Sequence, residues 1–299
     1  MQTAETDGGW LKFDGNPVLG NAEIGTCFDV NVNKFDGEFR MFFSWRPKNS
    51  LAVCHGMDGI HWSAPEIILP PDDRSGWEDA VNRSCILKIG EVYHLWYTGQ
   101  ARGFSRIGYA TSSDGLHFER KSRMPVMISE FPWENASVMN PYVLFDENRG
   151  VFRMWYAAGE TYEPNAIGYA ESTDGMTWKK FPLNPIFVKG HDFYDRDRIG
   201  ACEVKRLPDG RFVMFYIGYE NINKACICTA FSDDGIIGWS RLASNPIISP
   251  GPGKWDGDAC YKPSVYCDVE HNRWMLWYNG RLNSNEYIGL AIHQGLDLV

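Results

Sequence analysis

One twelve-residue stretch, Ile167 to Trp178, reads I-G-Y-A-E-S-T-D-G-M-T-W, and it recurs along the chain. Ile107 to Phe118 reads I-G-Y-A-T-S-S-D-G-L-H-F, and Leu51 to Trp62 reads L-A-V-C-H-G-M-D-G-I-H-W. Ala225 to Trp239 is a looser copy, and Ile288 to Ala291 a copy cut short at I-G-L-A. The Asp-Gly pairs at Asp58, Asp114, Asp174 and Asp234 fall about 60 residues apart, long enough for one four-stranded blade. A fixed period of this length restricts the chain to stacked or radial repeats of one β unit.

Each repeat has the same order of parts. A strand leads to a turn, an aromatic strand follows, then I-G-Y-A, then S-x-D-G-x-x-W, and finally N-P-[IV]. The second strands begin at Phe39, Tyr93, Phe152, Phe212 and Trp274, and their period-two aromatic and aliphatic pattern is that of strands. Asp-Gly between two such runs marks a hairpin. Five second strands predict an all-β, five-bladed propeller of four-stranded antiparallel blades, one domain over residues 1–299. The fifth repeat has no D-G-x-x-W strand, but Trp10-Leu-Lys-Phe-Asp-Gly-Asn-Pro-Val matches Trp178-Lys-Lys-Phe-Pro-Leu-Asn-Pro-Ile in type and spacing. The N-terminal segment is therefore expected to supply the outer strand of the last blade and close the ring, which removes a sheet edge.

Strand direction separates the two ends of such a ring. The Asp-Gly hairpins join third to fourth strands at the end away from the mouth formed by first-strand starts and second-strand ends. Asp58, Asp114, Asp174 and Asp234 are thus expected to be turn formers. At the mouth, alignment of the blades superposes Cys27, Arg83, Asn140, Gly200 and Lys262, with Glu23, Asp79, Ala136, Arg196 and Asp258 four residues earlier. These positions break the repeat, and variation on a repeated scaffold is where function is grafted.

Glycosidic cleavage needs two carboxyl groups, one as acid and one as base or nucleophile. Asp79, Asp258, Glu23 and Asp197 are the candidate catalytic acids. Arg83, Asn140, Lys262, Arg198, Glu78 and Arg281 are candidate substrate contacts, with Trp77, Trp133 and Trp255 as platforms for sugar rings. Some of these acids would instead pair with neighbouring bases in a structural ion network. Arg83, Lys262, Arg198 and Arg281 would also suit phosphate or an anionic sugar.

The net charge of −9 excludes nucleic acid as the main partner, because phosphate neutralisation needs a basic footprint. No run has the apolar length of a membrane span, and the first residues lack the basic and apolar regions of a signal peptide, so a cytoplasmic location is expected. The eight cysteines sit in apolar strand patterns without C-x-x-C pairs and read as reduced and buried. The seven histidines have no zinc spacing, and no metal or cofactor is expected. Acids ringing a tunnel leave room for a structural calcium, though no calcium-loop spacing is present.

The text N-P-V-L at Asn16, D-G-I-H-W at Asp58, G-W-E-D at Gly76, Y-H-L-W-Y-T-G at Tyr93 and I-G-Y-A-T-S-S-D-G-L-H-F at Ile107 resembles the five-bladed propeller glycosidases. These include glycoside hydrolase families 43 and 32 and the mannoside phosphorylases of family 130. The resemblance implies a glycoside-cleaving fold. The E-D-P-R pattern of family 130 aligns near Glu78-Asp79-Ala80-Val81-Asn82-Arg83. Family 43 would place an aspartate near Cys27, which Glu23 and Asp29 flank. The R-D-P and E-C motifs of family 32 have echoes in Arg196-Asp197-Arg198 and Cys202-Glu203, where the spacing of Glu203 points it into blade packing. The expected function is hydrolysis of short oligosaccharides or glycosides. The alternatives are phosphorolysis, with inorganic phosphate as co-substrate, and a non-catalytic carbohydrate-binding propeller.

Overall fold

The computed structural model describes residues 5–298. A short strand, β1 (Trp10–Lys12), precedes the first blade, which is β2 (Cys27–Phe35), β3 (Glu38–Trp45), β4 (Ser50–Gly56) and β5 (Glu66–Leu69). The second is β6 (Ala80–Ile89), β7 (Val92–Ala101), β8 (Phe104–Ser112) and β9 (Glu119–Arg120). The third is β10 (Ser137–Asp146), β11 (Val151–Gly159), β12 (Pro164–Ser172) and β13 (Lys179–Lys180), with β14 (Phe187–Val188) also on β12. The fourth is β15 (Arg198–Arg206), β16 (Phe212–Asn221), β17 (Lys224–Ser232) and β18 (Ser240–Arg241). The fifth is β19 (Ala259–Asp268), β20 (Arg273–Leu282) and β21 (Asn285–Gln294), completed by β1.

The ring closes as the repeat requires. Strand β1 pairs antiparallel with β21, Leu11 opposite Ile292, and the innermost strands touch in the cyclic order β2, β6, β10, β15, β19. Asn16 bonds the backbone of Leu290 through both its Oδ1 and Nδ2. Asn184 does the same to Tyr169, and Asn245 to Thr229. The N-P-[IV] motif is thus a side-chain continuation of the sheet, and its N-terminal copy belongs to the fifth blade.

The Asp-Gly hairpins lie between third and fourth strands in blades one to four. In each, the aspartate Oδ1 accepts two backbone N–H groups, for Asp174 those of Met176 at 2.8 Å and Thr177 at 2.7 Å. These bonds hold the Asp174 carboxyl down at about 2. Each glycine after the aspartate has φ near +75°, where a Cβ is penalised. The hairpins also join blades. Trp96, Trp155 and Trp277, at one position of the second strands, each donate Nε1–H to a hairpin glycine carbonyl of the next blade at 2.8 Å. These three indoles are fully buried, a burial that stabilises by about 4 kcal/mol each on an area basis. All eight cysteines are free, seven of them buried.

Candidate active site

Each innermost strand has a bulge where it faces the tunnel mouth, between Phe28 and Asn31, Asn82 and Cys85, Met139 and Tyr142, Ile199 and Cys202, and Tyr261 and Ser264. The bulge residues are therefore Asp29, Arg83, Asn140, Gly200 and Lys262. The first-blade member of this set lies two residues past Cys27, because the turn from β2 to β3 has two residues where those from β10 to β11 and from β19 to β20 have four. Asp29, Arg83, Asn140 and Lys262 all have φ between 50 and 56°, a region that costs non-glycine residues energy. Such strain persists where the surroundings enforce it, and here Ser44 Oγ accepts Arg83 N–H and Thr98 Oγ1 accepts Asn140 N–H, each at 3.0 Å.

Above this ring lies a cavity of about 350 Å³, within the range of small-molecule sites. Its charged walls are Asp29, Glu163 and Glu286 against Arg46, Arg83 and Arg281. Asn82, Gln100, Asn140 and Asn223 supply amides, and Phe28, Tyr162, Tyr219 and Tyr261 supply ring faces. Arg46 pairs with Glu286 at 2.8 Å and lies over the Phe28 ring. Arg83 Nε stands 3.6 Å from Asp29 Oδ2, while its Nη2 donates to the Tyr162 carbonyl at 3.0 Å. Arg281 Nη2 donates to the Asn223 carbonyl at 2.6 Å.

Burial raises the Asp29 carboxyl above the ordinary carboxylate range, although Arg83 and Lys262 pull it down. Burial likewise raises Glu163, against the pull of Arg83, Arg198 and Arg281. Among the described residues, no group donates a hydrogen bond to the Glu163 carboxyl. Two carboxyls from non-adjacent blades thus share one cavity, each disposed to hold a proton higher than usual.

The residues singled out from sequence fall into three groups. Arg83, Asn140 and Arg281 line the cavity, and Lys262 is buried just below it at 1% exposure. Arg198 bonds Asp197 at 2.8 Å and its charge also acts on Glu163. Asp79, Asp258, Glu23 and Asp197 do not line the cavity. Asp79 and Glu23 are exposed, and Asp258 caps a turn by accepting Asn283 N–H at 2.6 Å.

The third group is structural packing. Trp77 is buried and stacks on Tyr97, while Trp133 and Trp255 lie against Tyr156 and Tyr278. A Cβ at Gly108 would come within 2.6 Å of Trp77, and one at Gly168 within 2.6 Å of Trp133. The glycine of I-G-Y-A therefore makes room for the tryptophan of its own blade. The acid after each aromatic pairs with a base from the outermost strand: Glu78 with Arg120, Glu134 with Lys180, Asp195 with Arg241 and Asp256 with Lys12. Tyr156, Tyr216 and Tyr278 donate to Glu134, Asp195 and Asp256. In the first blade Phe43 replaces the tyrosine, and Ile24 stands where the others carry an acid. Glu203 is buried and holds Lys205 and the Val265 N–H, in the framework as its spacing indicated.

Asp29, Glu163 and Glu286 were outside the candidate acids. Asp29 was signalled only by its nearness to Cys27, and Glu163 belongs to no repeated motif. No group of three or more His, Cys, Asp or Glu side chains among the described residues could hold a metal ion.

Residues 29–184 match the glycosyl hydrolases family 32 N-terminal domain. The chain belongs to that family. An uncharacterized protein of Mycobacterium tuberculosis is 30% identical to this family 32 chain over 273 residues, covering 85% of it and 87% of the mycobacterial protein. A vacuolar acid beta-fructofuranosidase 1 of a Rosa hybrid cultivar is 27% identical over 206 residues, which are 62% of this chain and 32% of the rose enzyme. A beta-1,2-mannobiose phosphorylase of a Thermoanaerobacter species is 26% identical over 244 residues, 75% of this chain and 74% of its own length. In fold, the chain is similar to a thermostable family-43 glycoside hydrolase, with TM-score 0.73 and 15% identity over 92% of this chain and 91% of that one. It is similar as well to a beta-1,2-mannobiose phosphorylase from Listeria innocua in complex with beta-1,2-mannobiose, with TM-score 0.74, 13% identity and 95% and 96% coverage. No helix among the described residues is long and apolar enough to cross a membrane.

Proposed function

We propose that this protein hydrolyses a glycosidic bond of a short oligosaccharide or glycoside in the cavity over the first-strand bulges. The observation that carries the reading is the pairing of Asp29 and Glu163 on one cavity wall set, both with raised carboxyl pKa. Glu163, half-buried and without a hydrogen-bonded cation, is suited to hold a proton and give it to the departing glycosidic oxygen. Asp29, nearer to Arg83 and Lys262, is suited to be the ionised partner, attacking the anomeric carbon or taking the proton of an attacking water. Asn82, Gln100 and Asn140 supply donors and acceptors for hydroxyls, and Phe28, Tyr219 and Tyr261 supply apolar ring faces.

Phosphorolysis is the second reading, favoured by the three guanidinium groups on the same walls, which suit phosphate oxygens. The test is a panel of oligosaccharides and aryl glycosides assayed with and without inorganic phosphate, on wild type, Asp29→Asn and Glu163→Gln. Turnover in phosphate-free buffer that Asp29→Asn abolishes, and that Glu163→Gln abolishes on substrates whose leaving group needs protonation, supports hydrolysis. Turnover only with phosphate, releasing a sugar 1-phosphate, moves the protein to the second reading. Binding of panel sugars without turnover by any form would make it a binding module and overturn both.

A further inference from the structure

Lys262 and Arg281 at the cavity have less charge compensation than most buried bases of the blade framework. In the blade framework, Lys12 has Asp256 at 2.6 Å, Arg120 has Glu78 at 2.6 Å, Lys180 has Glu134 at 2.8 Å and Lys205 has Glu203 at 2.7 Å, while the buried Arg153 instead bonds the Tyr169 hydroxyl and the Asp234 carbonyl, each at 2.7 Å. Burying a charge without a partner is expensive, and the pairing follows from that cost. Lys262 has a partner of neither kind. It is 1% exposed, sits on a strained bulge at the tunnel mouth, and among the described residues has neither a hydrogen bond nor a carboxylate within ion-pair distance. Arg281, on the wall above, contacts only a main-chain carbonyl, and Arg83 is 3.6 Å from its nearest carboxylate. Arg281 is held by the Asn223 carbonyl, which orients it without neutralising it, and Arg83 is held by the Tyr162 carbonyl while sharing the Asp29 carboxylate.

The charge balance of the space is positive. Glu286 is consumed by Arg46 at 2.8 Å, which leaves Asp29 and Glu163 to face Arg83, Arg281 and Lys262. One of those two carboxyls must carry a proton for acid–base cleavage to proceed. A neutral sugar would leave this excess uncompensated on the cavity walls.

We propose that the sugar bound in this cavity carries an anionic group, a carboxylate or a phosphate ester, seated between Arg83 and Arg281 in the field of Lys262. The inference rests on the reading of the cavity as the glycoside site. It adds the substrate class, namely uronides or sugar phosphates over neutral glycosides. Two parallel N–H···O bonds from a guanidinium to such a group are the strong, geometry-selective kind.

The experiment uses matched ligands and two readouts. Binding of glucuronate, galacturonate and glucose 6-phosphate is measured by calorimetry beside glucose, galactose and inorganic phosphate, at low and high salt. Turnover is measured on aryl glucosides and galactosides beside the corresponding uronides and 6-phosphates. The expected result is binding and cleavage of at least one charged member about tenfold or more better than its neutral twin, weakened by salt. Arg281→Ala, at the half-exposed end of β20, should lose most of that ratio while the melting temperature stays put. Equal or better handling of the neutral twins overturns the inference and leaves the cleavage reading standing. Charged sugars bound selectively but never cleaved would support the anion site and sink the cleavage reading. Binding of inorganic phosphate alone, with no preference among the sugars, overturns the inference in favour of phosphate as the co-substrate. No binding of any of these anions overturns it outright.

Discussion

The Nζ of Lys12 lies 2.6 Å from Oδ2 of Asp256, across 244 residues of chain, and that carboxylate is fully buried. The same pairing recurs within single blades as Arg120 to Glu78 and Lys180 to Glu134. The N-terminal strand therefore brings to the fifth blade not only backbone pairing but the base that its buried acid requires. Replacing Lys12 by Met keeps the stem and removes the charge. The expected loss is about 3–5 kcal/mol, the cost of leaving a buried carboxylate without its cation. Urea unfolding measures it, and Lys12→Arg should recover most of the loss. A Lys12→Met protein as stable as wild type would mean that the ion pair does not lock the ring.

The hairpin contacts give a separable effect. Trp155→Phe keeps an aromatic side chain in the slot but leaves the Gly235 carbonyl without its 2.8 Å donor. An expected loss of about 1–3 kcal/mol combines the missing hydrogen bond with imperfect filling of the indole cavity. Phe215 occupies the equivalent position in the fourth blade. Changing it to Leu should cost packing energy but move no hydrogen-bond signature. Amide exchange across the Asp234 hairpin distinguishes the two, since only Trp155→Phe should accelerate it.

The blade framework was legible because it repeats. Asp174 and its counterparts at the hairpins, Asn184 in N-P-[IV] and the Trp155 row each do one job several times, and the sequence prints that job several times. The cavity was less legible for the opposite reason. Asp29 is displaced because the turn between the first two strands of its blade is two residues shorter than in the third and fifth blades, which defeats alignment by counting from the second strand. Glu163 begins no motif, and Glu286 comes from the third strand of the last blade, an element that elsewhere faces blade packing. Trp77 misled for a physical reason as well. Aromatic followed by acid resembles a sugar platform with its hydrogen-bonding neighbour, and here both side chains are spent on Tyr97, Gly108 and Arg120.

That contrast makes the acids outside the cavity a direct control. Asp79 and Asp258 lie at the starts of inner strands but do not line the site. Asp79→Asn and Asp258→Asn are expected to change kcat/KM by less than about threefold, below ~1 kcal/mol of transition-state stabilisation. Asp258→Asn keeps an acceptor for Asn283 N–H, so its melting temperature should hardly move. A large loss of turnover in either variant would return catalysis to the strand starts.

Asp29 predicts a trade between activity and stability. Its folded-state pKa is raised, burial being the largest cause, so the folded protein binds this proton more tightly than the unfolded chain does. Stability from this group is then greatest below the unfolded value near ~3.9 and declines as pH rises toward the folded value. At neutral pH the ionised carboxylate is a net burden on the fold. Asp29→Asn removes that burden and tolerates the left-handed backbone at φ 55°. The variant should melt at or above the wild-type temperature at pH 7, with the difference closing in acid. Its turnover should fall by about a thousandfold or more. Loss of stability at pH 7 together with activity would point to a structural role for the charge.

Glu163 decides the alkaline side of the pH profile. Burial raises its pKa despite three nearby guanidiniums, so the protonated form persists above the ordinary carboxylate range. As pH rises through that value the proton is lost, and with it the ability to protonate a departing oxygen, so kcat/KM should fall on the alkaline side. Asp29 must be ionised, and its raised pKa shifts the acid limb upward too, which puts the optimum above the range set by unperturbed carboxylates. Glu163→Gln should remove the alkaline limb altogether. Its cost should depend on the leaving group, about 100-fold or more for a sugar that needs protonation and little for an activated aryl group such as dinitrophenol. Equal losses on both substrates, with the alkaline limb still present, would assign the proton to another group, and Glu286 on the same wall is the residue to change next.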